Sequence, residues 1–196
     1  MIRTKKSNPE DHAVMNAIQL VQRLHQHRAW VNGKLLDSAE QLSAQQLRAE
    51  FAIGQGSVWK SLLHLSAAEY VWLETLLGNE QALFPGDLAG QLPGNQQGVG
   101  RVTDLNDLRQ RWAAQDERWI AYLSGLTPEA LGEIVYRSRT KDGATMRFGC
   151  RRGDALLHVC THAHYTAAQV MNMLRQNGAE KLRDIMLLSL ARMDVA

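Results

Sequence analysis

Two histidines one helical turn apart, with a third in a distant helix, are the residues of this chain whose chemistry and spacing best suit a metal ion. The stretch DALLHVCTHAHYTAAQVMNMLR (154–175) carries His158, His162 and His164 of the chain's seven histidines. At about 100° per residue, Asp154, His158, His162, Tyr165 and Gln169 fall in one narrow sector of a helix, and His164 points well away. Imidazoles at i and i+4 can meet one ion from a single helix face. A transition-metal site usually takes a third protein ligand and keeps an open position when it is catalytic. His64, in the middle of SVWKSLLHLSAAEYVWLE (57–74), is the candidate for that ligand. Its own face carries Ser61, Ala67, Ala68 and Val71, small enough to let another helix approach. HxxxH by itself is a weak signal. The weight rests on the whole polar stripe, which lies beside the apolar sector of Leu156, Val159, Ala163, Val170 and Leu174, where unpartnered polar groups are costly to bury.

Helices must position these residues, and the apolar periodicity supplies them. Asn8-Pro9-Glu10-Asp11 reads as a helix start, followed by Val14, Ile18 and Val21, with an end near His27 before Asn32-Gly33. SAEQLSAQQLRAEF predicts one or two short helical turns. A second long helix runs from the N-cap Ser57 to Gly78, with Val58, Leu62, Leu65, Trp72 and Leu76 as its apolar seam. Residues 79–102, with two prolines and five glycines, predict a long loop without a phosphate-binding fingerprint. A third helix spans about Asp104 to Leu123, with Leu105, Leu108, Trp112 and Trp119 on one side. GEIVYRSRTKDGATMRFG alternates, turns at Asp142-Gly143 and predicts a β-hairpin. A fourth long helix takes 152–176, and EKLRDIMLLSLARM a final shorter one. The pattern predicts a single all-α domain over residues 1–196: a four-helix bundle with short extra helices and a small hairpin.

Composition narrows the function classes. Twenty-two basic against 20 acidic side chains give a formal charge of +2, so no electrostatic footprint for nucleic acid or an anionic membrane is present. No stretch approaches the roughly 20 apolar residues of a membrane span. Arg3, Lys5 and Lys6 precede no apolar run, so no secretory signal is predicted. Cys150 and Cys160 are expected to stay reduced, and the protein is expected in the cytoplasm. Trp59, Trp72, Trp112 and Trp119 read as core, and Met171, Met173, Met186 and Met193 as packing of the last two helices or of an oligomer face. Cys160 points away from the histidine stripe. Glu69 lies on the seam with Leu62 and Trp72, Glu74 faces solvent, and neither reads as a general base. No nucleophilic triad is defensible from spacing.

Two segments resemble the DinB family of bacterial helical-bundle proteins. GSVWKSLLHLSAAEYVWLETLLG (56–78) resembles that family's second helix, and LLHVCTHAHYTAAQVMNMLR (156–175) its later helix of the form H-V-x-N-H-x-x-[HY]-H-x-x-Q; the element order also matches. The resemblance implies a metal ligand at His64 and another at His162, with Tyr165 and Gln169 beside the site as substrate contacts. The family's third ligand lies four residues after the second, and here that position is Thr166. A neutral hydroxyl is a poor ligand for zinc or nickel compared with imidazole. Three readings follow. His158 substitutes from one turn earlier, Asp154 adds a carboxylate or orients His158, or the metal site has decayed. The implied function is a divalent-metal enzyme using zinc or nickel, a hydrolase or thiol-dependent S-transferase acting on a small molecule, with a low-molecular-weight thiol as partner. The alternative is a non-catalytic, metal-degenerate bundle serving as a dimeric small-molecule binder or stress-response protein. A homodimer is expected in either case.

Overall fold

The computed structural model describes residues 14–141 and 143–193. Asn16 starts the first helix, α1 (Ala17–Ala39), with a reciprocal capping box to Gln19; the start expected at Asn8–Asp11 lies outside the described residues. Ser43 and Gln46 form the same box on the single turn α2 (Ala44–Leu47). Ser57 caps α3 (Val58–Leu76), and Asp104 caps α4 (Leu105–Ser124). Each cap gives an otherwise orphaned N–H an acceptor. Beyond α3, Gly78 takes φ +98°, a conformation open to glycine at little cost. A 3-10 turn (Glu129–Gly132) leads into the antiparallel hairpin β1 (Ile134–Lys141) and β2 (Ala144–Arg151). The helix α5 (Arg152–Gln176) grows directly out of β2, and α6 (Leu187–Met193) follows.

The expected architecture holds: a helical bundle with one small two-stranded sheet. No helix among the described residues is long and apolar enough to cross a membrane. α5 packs against both α1 and α3, and its small residues Ala155, Ala163 and Ala167 are buried in those contacts. One core cluster gathers Leu35, Leu62, Leu65, Leu108, Trp112, Val170 and Leu174. The other joins Val21, Leu73, Trp119, Leu123, Leu156 and Val159. Trp112 and Trp119 are buried, Trp59 nearly so, and Trp72 is half-buried at the edge of the second cluster.

Two boundaries differ from expectation. α1 does not stop at His27 but continues twelve residues to Ala39. Asn32, which reads locally as a helix breaker, is buried and donates to both oxygens of Glu69 on α3, at 2.9 and 3.1 Å. Leu35, Leu36 and Ala39 then continue the buried stripe, so tertiary burial outweighs the local turn preference of Asn-Gly. At the other end α6 starts at Leu187, and residues 181–186 run as irregular chain.

Glu69 is the centre of a buried polar cluster. Its carboxylate accepts from Arg28, from Asn32 and from Trp112 Nε1 at 2.9 Å, while Arg28 also donates to Asp116 at 2.8 Å. Burial pushes the Glu69 carboxyl up. Every neighbour aimed at it is a donor, and these donors hold it ionised against that penalty.

Candidate metal centre

The site forms where α3 and α5 face each other under the long loop. His64 and His162 bring their Nε2 atoms to 3.2 Å, with the rings edge-to-face at 70°. Two imidazole nitrogens each about 2.0–2.1 Å from one tetrahedral ion lie roughly 3.3 Å apart. The pair therefore already has the spacing of two ligands on one ion. His64 Nδ1 lies 2.9 Å from the Pro93 carbonyl oxygen. A carbonyl can only accept, so Nδ1 carries a proton, which in the imidazole form leaves the Nε2 lone pair facing His162. This is the outer hydrogen bond that fixes tautomer and ring orientation in histidine metal ligands.

Its surroundings hold His162 neutral. Burial, then the neighbouring His64 and His158, push its pKa down to about 4. His25, buried in the core with Nε2 donating to the Leu156 carbonyl and Nδ1 without a partner, is pushed down to about 3, mainly by burial. Both folded values lie below the 6.5 of a free imidazole. The unfolded chain therefore takes up protons that the folded chain refuses as pH falls. Their contribution to stability is complete above about pH 6.5 and declines as pH falls toward 4 for His162 and toward 3 for His25. The unfolding free energy is expected to fall over that window, by up to about 1.4 kcal/mol per pH unit for His25 and less for the more solvated His162, and the urea midpoint falls with it. Urea titrations of wild type and His25→Gln check this: a variant slope as steep as wild type would remove His25 from the account.

The remaining residues of the stripe are placed as follows. The His158 ring lies 5.8 Å from that of His162 and packs edge-on to Trp72 at 5.3 Å, and its pKa is lowered by burial and by Arg137. Thr166 is buried one turn after His162, and Asp154 is exposed two turns before it. Gln169 sits against Gly54 and Ser61: a Cβ on Gly54 would lie 2.7 Å from Gln169 Oε1. Tyr165 is largely exposed and lines a cavity of about 510 Å³ between α1, α5 and the chain before α6. His164 lies on that side too, 6.3 Å from the His27 ring. Cys160 is buried away from the pair, its thiol pushed up to about 12 mainly by burial. Among the described residues no three His, Cys, Asp or Glu side chains converge on one point as a metal cage. The tertiary structure thus joins two of the three expected ligands, with His158 adjacent and turned to Trp72.

Three contributors escaped the sequence reading. The loop of residues 77–104 is bound together by Asp87, whose buried carboxylate accepts from Gly94 N at 2.6 Å, Gln96 N at 2.9 Å and Gln96 Nε2 at 2.7 Å. That arrangement presses Pro93-Gly94 onto His64. Gly94 has φ +84°, and a Cβ there would lie 2.6 Å from the His64 Cα, so only glycine permits the approach. The dipeptide Pro-Gly signals a turn in sequence, but nothing local says where the turn docks. The third is Arg137 on β1, whose guanidinium lies 5.5 Å from the Trp72 ring, on which His158 also packs.

Comparison with known proteins identifies the family and the fold. Residues 27–170 match the family model of the DinB superfamily. The chain is also similar to YfiT from Bacillus subtilis, a probable metal-dependent hydrolase with an unusual four-helix bundle topology. The two share 18% sequence identity and superpose with a TM-score of 0.57, over 88% of this chain and 94% of YfiT. No curated protein matches the chain in sequence.

Proposed function

The chain belongs to the DinB superfamily, and from that premise we propose a divalent-metal-dependent enzyme, a hydrolase or thiol-dependent S-transferase acting on a small molecule. The observation that carries the reading is the 3.2 Å approach of His64 and His162 with the His64 lone pair turned inward by Pro93. Zinc or nickel held there would supply Lewis-acid chemistry, lowering the pKa of a bound water or thiol or polarising a carbonyl. His64 and His162 hold the ion. His158 completes the set by swinging from the Trp72 edge, with Asp154 one turn further back to orient it. Thr166 and Gln169 contact substrate beside the pair, and Tyr165 does so from the neighbouring cavity between α1 and α5. Met186 and Leu188 near the C-terminal helix are exposed, which suits the homodimer that this reading includes, in a cytoplasmic setting where a small thiol is available as cosubstrate.

A second reading is favoured by one feature, the buried threonine at the family's third-ligand position: a bundle that has lost its metal and serves as a dimeric small-molecule binder or stress-response protein. Metal analysis of zinc- or nickel-loaded protein separates the two. Wild type is expected near one ion per chain, with His158→Ala well below it. Retention of metal by His158→Ala would reject that residue as the replacement ligand. Sub-stoichiometric metal in wild type, with a sharp gain in Thr166→His, would overturn the enzyme reading in favour of the degenerate one.

A further inference from the structure

The hairpin carries, next to the candidate metal centre, a guanidinium without an ion-pair partner among the described residues. Its register pairs Val135 with Cys150, Arg137 with Phe148 and Arg139 with Met146. Directly paired residues project to the same face of a sheet, so these six side chains share one face and Ile134 and Tyr136 occupy the other. The end of the shared face is anchored on the bundle by Val135, which is buried in the second core cluster with Cys150 against it. Further out, Arg137, Arg139, Met146 and Phe148 line a cavity of about 370 Å³, closed opposite by the 77–104 loop and Val71 of α3. That volume is within the range of small-molecule sites. Pro93, whose carbonyl holds His64, forms part of the same wall.

Arg137 and Arg139 outnumber the single acid in the lining, Asp87. Among the described residues the Arg137 guanidinium has no carboxylate and no hydrogen-bond acceptor, only the Trp72 ring beside it. Burial and the nearby Arg139 disfavour its charged form, yet arginine does not give up its proton in a protein. Asp87 in the lining and Glu80 beside the hairpin are both engaged elsewhere. Asp87 accepts three N–H groups of its own loop, and Glu80 is paired with Arg147 on the far face. A partly desolvated guanidinium without an anion is a site awaiting one, and its planar fork suits a carboxylate. The large apolar side chains Met146 and Phe148 beside it give room for the rest of an organic molecule.

We propose that the cavity between the hairpin and the 77–104 loop anchors a small organic carboxylate, its charge held by Arg137 and its apolar body laid against Met146 and Phe148. Its role as substrate anchor rests on the metal-enzyme reading, and the reactive end of the molecule would then lie toward His64 and His162. The anchoring itself needs no metal, so the two can fail separately.

The test is calorimetric titration of benzoate and its uncharged counterpart benzamide into the full chain, metal-stripped and zinc-loaded. Benzoate is expected to bind both forms and benzamide at least tenfold more weakly. Arg137→Gln is expected to weaken benzoate roughly 10- to 100-fold, Arg137→Lys to recover part of the loss, and Arg147→Gln to bind as wild type. Because Arg137→Gln could disturb the hairpin, Phe148→Ala serves as the second variant. It is expected to weaken benzoate while leaving the preference over benzamide intact. Equal affinity for benzoate and benzamide, or no binding to either form, overturns the proposal. Benzoate binding that needs zinc and is indifferent to Arg137→Gln also overturns it, and leaves the metal centre standing.

Discussion

Replacing His64 or His162 with alanine is expected to lower zinc affinity by more than the roughly 10- to 100-fold that loss of an outer hydrogen-bond partner costs. Each substitution removes one of two nitrogens set 3.2 Å apart, and His158, the adjacent imidazole, already has the third position in this reading and cannot fill both. Gly94→Ala tests the support behind the ligand. The added Cβ would sit 2.6 Å from the His64 Cα, so the loop must lift and the Pro93 carbonyl must leave Nδ1. Its loss is expected within the 10- to 100-fold range, smaller than that of the ligand variants. Competition for zinc against a chromophoric chelator measures all three. His64 is only partly buried, so its alanine variant should stay folded. Removing it should also let the His162 pKa rise toward 6.5, since His64 is one of the groups depressing it. Unchanged zinc affinity in His64→Ala and His162→Ala would remove the pair as a metal centre.

Glu69→Ala is expected to destabilise the fold by about 3–5 kcal/mol, the usual cost of leaving a buried ion without its partner. It strands the Arg28 guanidinium with Asp116 alone and leaves Trp112 Nε1 and Asn32 without their acceptor. Glu74→Ala, five residues further along α3, removes a carboxylate from a partly exposed pair with Arg118. It should cost no more than about 1 kcal/mol. Urea unfolding of both variants at pH 7 decides the matter. A Glu69→Ala loss as small as that of Glu74→Ala would mean that the buried cluster contributes no more than a surface pair.

Glu69 also shows how far a sequence can be read. Helical spacing put it on the apolar seam of α3 and rejected it as a base, and it is indeed buried there. The seam could not say that Arg28, Asn32, Trp112 and Asp116 would come to meet it, because those residues lie on α1 and α4. The same cluster explains why α1 outran its expected end, since Asn32 turns inward to Glu69 instead of ending the helix. In the hairpin, alternation and Asp-Gly predicted the strands. The pairing register then decided that Met146 and Phe148 share a face with Arg137 and Arg139, opposite Ile134 and Tyr136.

The sequence by itself determined the helices, the hairpin and the stripe of His158, His162 and Gln169, because apolar periodicity and caps are local properties of the chain. It also marked Thr166 as the departure from the DinB ligand pattern. Only the tertiary structure decided that His64 Nε2 faces His162, that Pro93 fixes its tautomer, and that His158 rests on Trp72. It alone put Arg137, unpaired among the described residues, beside them. Those relations join residues 29 to 98 positions apart, and a local pattern contains no information about which distant group a side chain will meet. They follow from the packing of α5 on α3 and from a loop bound around Asp87.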